Sequence, residues 1–344
     1  MRNAMGARAG QALAGALLFA LPLDLALAND TMAQLGTQGL TFVRSDRIEM
    51  RSEDLFVSPD EIRITYQFHN NGPDDEDVLV AFPMPDIEGS MDFMTSAPTD
   101  DPQNLFGFTT TFEGKPVSAT FHPYAFAAGI ERTQVLLDHK IPLAPHLAAT
   151  HDAVQALDEP TKRTLRGLGL VMPTEYEEDG KTRIDDIPIW LLRSTYSWHA
   201  SFPAGKTVTV EHRYKPSLGA TAGVTFLTET EDGPARLAAT RQKYCLDDDI
   251  LTRLKASGVK DGAWTSYPYV ENWISYIWST GANWAGTVGH FTLTVDKGDP
   301  KNLVSFCGEN VRKIGPTLFR MEAENWSPPW DRELEILLLV PQRP

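Results

Sequence analysis

In Ile62-Arg63-Ile64-Thr65-Tyr66-Gln67-Phe68-His69 every second side chain is apolar. That is the period of a strand with one face buried and the other in water. Val78, Val80, Phe82 and Met84 repeat it after Asn70-Asn71-Gly72-Pro73 and the acids Asp74-Asp75-Glu76-Asp77. Asn71-Gly72 is a tight-turn signal, so the two runs are expected to form a hairpin with a solvated end. Trp198, Ala200 and Phe202 alternate in the same way, and Val208, Val210, His212 and Tyr214 follow after Pro203-Ala204-Gly205-Lys206. Phe291, Leu293 and Val295 form another such face. Leu334, Ile336, Leu338 and Val340 alternate with Glu333, Glu335 and two leucines, the pattern of a strand covered on both sides. Short alternating runs joined by turns predict a mainly β protein of two antiparallel β-sandwich-like domains.

Between residues 131 and 172 the period changes. Val135, Leu136 and Leu137, then Ala153, Val154 and Leu157, then Leu165 and Leu168 fall at helical spacings, interrupted by Pro142, Pro145 and Pro160. Short helices are therefore expected as an insert in the first sandwich. The run EYEEDGKTRIDD at 175–186 reads as a polar, acidic linker. The expected organisation is a first sandwich half over 29–130, a helical insert with linker over 131–187, completing strands over 188–232, and a C-terminal β-rich domain over 233–344. A further short helix is expected after Cys245, with Asp247 as its cap and Ile250, Leu251 and Leu254 facing inward.

The start of the chain carries a different signal. Arg2 and Arg8 precede an uncharged stretch from Ala9 to Leu23, and Ala26-Leu27-Ala28 offers the small-x-small pattern of a signal peptidase site. A cleavable signal peptide over 1–28, cut before Asn29, predicts export to the periplasm. The apolar run is interrupted by Pro22 and Asp24 and is too short for a transmembrane anchor. Loss of residues 1–28 takes the formal net charge from −15 to −16, since two Arg and one Asp go with them. So acidic a chain repels phosphate backbones, which argues against nucleic acid as a partner. The two cysteines, Cys245 and Cys307, have no metal or catalytic spacing, and in an oxidising compartment they read as a structural disulfide.

Several of these stretches together resemble a known family. FVRSDRIEMRSEDLFVSPDEIRITYQFHN, VAFPMPDI, WHASFPAGKTVTVEHRYKP, STGANWAGTVGHFTLTVDKG and LVSFCG occur in order across nearly all of the mature chain. They are similar to the bacterial exported proteins of domain-of-unknown-function family 4424. The early Tyr-x-Phe-x-Asn and Phe-Pro-x-Pro pattern also resembles the strand pair of VIT-type β-sandwich domains. The resemblance implies an exported, periplasmic bacterial protein and supplies no activity, cofactor or catalytic residue.

Candidate chemistry is sparse. Calcium loops alternate their acids and need a Gly for the sharp turn, whereas Asp74 to Asp77 are consecutive and would splay. His139, His146 and His151 do not share a helix face, and His212 follows the inward face of Val208, Val210 and Tyr214 as a core histidine would. Neither H-E-x-x-H nor paired C-x-x-C occurs, so neither a metal nor another cofactor is expected. There is no G-x-S-x-G elbow. Ser52, Glu53 and Asp54 are adjacent in a strand and cannot all meet one substrate, so Ser52 and Asp54 read as turn or edge capping. STGANWAG lacks the Lys of a phosphate loop and reads as a bend between strands.

What stands out is aromatic: Trp264, Tyr267, Tyr269, Trp273, Tyr276, Trp278 and Trp284 within 263–284. Trp264, Tyr267 and Tyr269, in a loop marked by Gly262 and Pro268, together with Trp284, are the candidate stacking surface for a glycan or an extended peptide of the cell envelope. The competing reading is that large aromatics fill a core. The expected function is that of a periplasmic, non-catalytic binding or interaction protein. The alternatives are an envelope hydrolase whose site is dispersed in sequence, and a purely structural envelope protein.

Overall fold

The computed structural model describes residues 29–36, 39–90, 94–95, 98–178, 180–262 and 264–342. The signal peptide read over 1–28 lies outside the described residues. The molecule is mainly β, and its largest sheet has eight strands. Six strands frame the main core: β1 (Ile48–Val57), β2 (Ile62–Asn70), β3 (Glu76–Glu88), β4 (Leu191–Phe202), β5 (Thr207–Tyr214) and β6 (Val288–Asp296). Of these, β1, β2, β5 and β6 belong to the eight-stranded sheet, and β3 and β4 to a facing six-stranded sheet.

This corrects the hairpin expected over residues 62–84. β2 pairs with β1 and β5, and β3 pairs with β4 and with Thr31–Gly36. The chain therefore arches from one sheet to the other at Asn70–Asp75, and again between β4 and β5 at Pro203–Lys206. Each run buries its alternating face toward the same core, so an arch satisfies the pattern as well as a hairpin does.

The two arches lock together. Asn70 donates from Nδ2 to the carbonyls of Asp74 and Phe202 at 2.9 and 2.8 Å, and its Oδ1 accepts from Gly72 N. Asp75 Oδ1 accepts from Ala204 N at 2.8 Å. Glu76 pairs with Arg47, and Asp74 and Asp77 face solvent. Asp74→Asn with Asp77→Asn is expected to change stability by less than about 0.5 kcal/mol. A calcium-dependent rise in melting temperature that this double variant abolishes would make the turn an ion site.

β1 contains a bulge that sets the chemistry of the interior. Its pairing with β2 slips between Met50 and Ser52. Ile48 and Met50 point inward before the slip, and Glu53, Leu55 and Val57 after it. One extra residue reverses the phase of a strand, so an acid lands on the core side. Ser52 and Asp54 thus lie in a central strand between β2 and β6, and the capping role expected for them does not apply.

The boundary expected at residue 233 is crossed by this sheet. β6 runs parallel to β1, from His290 opposite Ser52 to Val295 opposite Val57, and pairs on its other side with Leu318–Trp326. One continuous core joins Ile48 and Phe68 to Phe291, Trp326 and Leu338. A five-stranded sheet built on Tyr269–Tyr276 and Leu334–Pro341 closes the rest of that core.

The insert has three short helices, α1 (Thr133–Asp138), α2 (Ala148–Gln155) and α3 (Glu159–Gly167), which bury Leu136, Val154 and Leu165 against Ala125, Ala127 and Trp190. The linker expected over 175–186 is instead the turn end of a two-stranded ladder, Val171–Glu178 with Lys181–Pro188. Gly180, at φ +69°, supplies the left-handed turn that closes it. Arg166 holds this ladder from α3 by a paired contact to the buried Asp186 at 2.6 and 2.7 Å. After α4 (Gly233–Tyr244), Asp247 caps α5 (Asp248–Ala256) by accepting from Ile250 N at 2.8 Å, and Leu251 and Leu254 are buried, as the sequence predicts.

Candidate functional site

Cys245 and Cys307 form a disulfide, with Cα atoms 5.0 Å apart. Cys245 ends α4 in the left-handed conformation at φ +51°, which turns the chain toward Leu246, buried with Phe226, Leu251 and Leu254.

The four aromatic candidates are not brought together. Trp264 is 63% exposed on the small ladder Val259–Asp261 with Trp264–Ser266. Tyr267 is half-buried beside Gly258, where an added Cβ would come within 3.1 Å of its ring. Tyr269 opens the next strand and packs on the cluster of Phe226, Leu254 and Leu337. Thr265 and Tyr267 both lie beside Gly258, and Trp264, next to Thr265 in its strand, faces the other way. Trp284 is only 2% exposed. Its indole lies 4.6 Å from the Phe68 ring, and its Nε1 donates to the Asp30 carbonyl. It is a core residue, and the candidate stacking surface reduces to Trp264.

The most deeply buried titratable groups lie elsewhere, in a sealed polar cluster between the sheets. Glu53, delivered inward by the bulge, accepts from Asn29 Nδ2 at 3.0 Å and from the Tyr276 hydroxyl at 3.2 Å. Tyr66 donates to Asn29 Oδ1 and lies 3.2 Å from the Tyr276 hydroxyl. Asp30 Oδ1 is 3.0 Å from His212 Nε2. The His212 ring is packed among Phe82, Phe108 and Trp198 at 5.1 to 5.2 Å. Burial pushes the Glu53 carboxyl up to about 7, and burial also raises Asp30 against the lowering influence of His212. The Tyr66 and Tyr276 hydroxyls are held well above the ordinary tyrosine range by the same desolvation.

Such groups could pass protons among themselves. None of Asn29, Asp30, Glu53, Tyr66, His212 and Tyr276 is more than 1% exposed, however. As folded, the cluster meets no solute.

The sequence pointed to His212 as a core histidine but missed Glu53 and the Asn29-Asp30 pair. The readable signal was the phase conflict in β1: Ile48 and Met50 are even, Leu55 and Val57 odd, so a slip must lie between them and Glu53 takes the odd, inward phase.

Three concavities among the described residues meet solvent. One, of about 570 Å³, is lined in part by Gln242, Lys243, Arg332, Glu333 and Glu335. There burial pushes the Glu333 carboxyl up to about 7, while Ser279 and the Trp278 amide donate to it. A second, a groove of about 570 Å³, runs across the end of the eight-stranded sheet, lined in part by Ser58, Asp60, Glu61, Arg213, Lys215 and Asp296. The β1–β2 turn forms one wall, where Ser58 N donates to Glu61 O at 3.0 Å and Ser58 Oγ accepts from Glu61 N. Arg213, at the end of β5, is 3.8 Å from Glu61, and Arg63 sits over the Phe56 ring at 4.2 Å. Both signs of charge therefore face the groove from rigid strand ends. A smaller recess of about 210 Å³ lies between the insert and β4, walled by apolar groups such as Leu105, Phe121, Leu143 and Leu192. It is room for a ring-sized apolar group and has almost no polar lining to orient one. No group of three or more His, Cys, Asp or Glu is arranged to hold a metal among the described residues.

A family model described as "Domain of unknown function (DUF4424)" matches residues 28–337. No curated protein matches the chain. Among solved structures, one from Legionella pneumophila, described as "a putative nutrient binding protein", aligns with 91% of this chain and 70% of its own. Its identity is 13% and its TM-score 0.41, too distant a likeness for function to be read across.

Proposed function

The chain belongs to the DUF4424 family, which brings it no activity, and we propose from its own geometry that it is an exported, periplasmic, non-catalytic binding protein. The observation that carries this reading is a separation. Glu53 and Asp30 are closed off and Glu333 is tied up by Ser279 and the Trp278 amide, while the groove at the sheet end presents fixed, solvated charges. Catalytic acids and bases must touch a reacting atom. A recognition groove needs only placed charges and donors on a rigid frame.

Arg213 and Lys215 on one wall, with Asp60, Glu61 and Asp296 opposite them in sign, suit a small ligand carrying both charges. A short peptide with free termini is that class. The signal peptide, the acidic net charge and the disulfide support the periplasm as the place where it meets such ligands.

Calorimetric titration of the mature protein with di- to tetrapeptides tests the reading. Arg213→Ala with Lys215→Ala should weaken the best binder about tenfold or more, with the melting temperature unchanged because both side chains are solvated. If no peptide binds, or if a glycan binds and only Trp264→Ala removes it, the groove is not the site.

A further inference from the structure

The polar cluster contains two buried carboxylates and an imbalance of charge. Asp30 faces His212, but its Oδ2 has no hydrogen-bond partner. Glu53 is held by neutral donors alone, Asn29 and Tyr276, and the charges acting on it, Asp30 and Asp54, are both negative. Lys297 is the one buried lysine or arginine among the described residues, and its Nζ is committed to the carbonyls of Pro300 and Asn302. Unpaired buried acids are costly, and proteins pair or neutralise them.

The segment that meets these acids is the expected start of the mature chain. Asn29, Asp30 and Thr31 have no exposed surface. They are clamped by the turn Ser279–Asn283 and the residue after it. Thr280 Oγ1 donates to Asn29 O at 2.7 Å, Asn283 Nδ2 donates to Thr31 Oγ1 at 3.0 Å, and Trp284 Nε1 donates to Asp30 O. Gly281 leaves room for this contact, since a Cβ would stand 2.8 Å from Asn29 Nδ2 and push on the amide that holds Glu53. The glycine-bearing stretch that reads as a plain bend in the sequence is thus a latch over residues 29–31. The main-chain nitrogen of Asn29 is four covalent bonds from its Nδ2, hence no more than about 5 Å from the amide that holds Glu53.

We propose that cleavage between Ala28 and Asn29 creates an α-ammonium inside this latch, and that this new N-terminus is the cation of the Glu53–Asp30 cluster. Maturation by the signal peptidase then completes the core, rather than merely releasing the protein. The inference rests on the export reading, because only hydrolysis of the 28–29 peptide bond converts a neutral amide nitrogen into a protonated amine. Water supplies the oxygen of the departing Ala28 carboxylate and the protons taken up by the amine. In the uncut chain the same position offers at most one neutral N–H, and the polypeptide has to leave the interior from a fully buried residue.

The intact mass of the protein purified from the periplasm is read first. A start at Asn29 is expected; Met1 retained would overturn the export reading and this inference with it. On the Asn29-started protein, reductive methylation should modify the α-amine at least about 100-fold more slowly in the folded state than in urea. Equal rates would overturn the inference while leaving export intact.

A second arm adds two alanines before Asn29 by moving the cleavage site, and combines each form with Glu53→Gln. Glu53→Gln should lower the melting temperature of the Asn29-started protein and leave that of the extended protein unchanged or raised. Equal losses in both forms would show that Glu53 answers to something other than the terminus. If the extended protein does not fold, the labelling rate of the mature form still decides.

Discussion

Trp284→Ala is expected to lower the unfolding free energy by about 4 kcal/mol, the range for deleting a large buried aromatic. The indole fills space beside Phe68 at 4.6 Å and Phe202 at 6.2 Å, and its Nε1 is the donor to the Asp30 carbonyl. Truncation therefore leaves a cavity and an unpaired buried acceptor at once, two costs that add. It also releases one arm of the latch over residues 29–31. Trp264→Ala provides the contrast: with most of its surface in water, the loss should be within about 0.5 kcal/mol. Urea melts of the two variants against the parent decide it. Similar losses for both would mean that Trp264 is held by contacts absent from the structure, and a small loss for Trp284 would contradict its place in the core.

Cys245→Ser should cost about 4 kcal/mol in the chain-entropy model, given the 62-residue separation that the bond to Cys307 closes. The crosslink ties the end of α4 to the edge strand Leu303–Phe306, which pairs only with Leu334–Pro341 within its sheet. Lys243 on α4 also reaches Glu335 of the neighbouring strand at 3.4 Å. Ser305 donating to the Tyr244 carbonyl at 3.0 Å is the nearest polar tie. Reduction of the parent should reproduce the loss seen in the variant. A Cys245→Ser protein that melts with the oxidised parent would show that the unfolded chain gains no freedom from breaking the bond.

The period of apolar residues was enough to place strands such as 62–70, 207–214 and 334–341, because one face of each must be dry. It does not say which sheet receives each strand. Asn71-Gly72 looks like a hairpin because the turn chemistry is local, while the decision to arch lies with Thr31–Gly36 and with β4, far along the chain. The linker reading of 175–186 failed for a related reason: a ladder exposed on most of its surface needs no apolar alternation, and only Gly180 marked it.

The site was less legible than the fold. Glu53 is an acid in a strand whose phase changes at a bulge, and Asn29-Asp30 gain their setting from a turn about 250 residues away. Trp284 beside Gly281 and Gly286 resembled a surface loop because glycine marks turns; here Gly281 marks a close approach instead.

The parallel pairing of β1 with β6 also orders events in time. The strand at 48–57 leaves the ribosome, and any membrane channel it passes through, long before residues 288–296 exist to lie beside it. Until then one edge of β1 carries unpaired backbone donors and acceptors next to Ile48, Leu55 and Val57. Sheets that wait for a distant partner close slowly and tempt other chains to fill the gap. The last sixth of the polypeptide is thus the step that ends this molecule's exposure to proteases and to aggregation, and chains truncated before residue 288 should be degraded rather than accumulate as a folded first half.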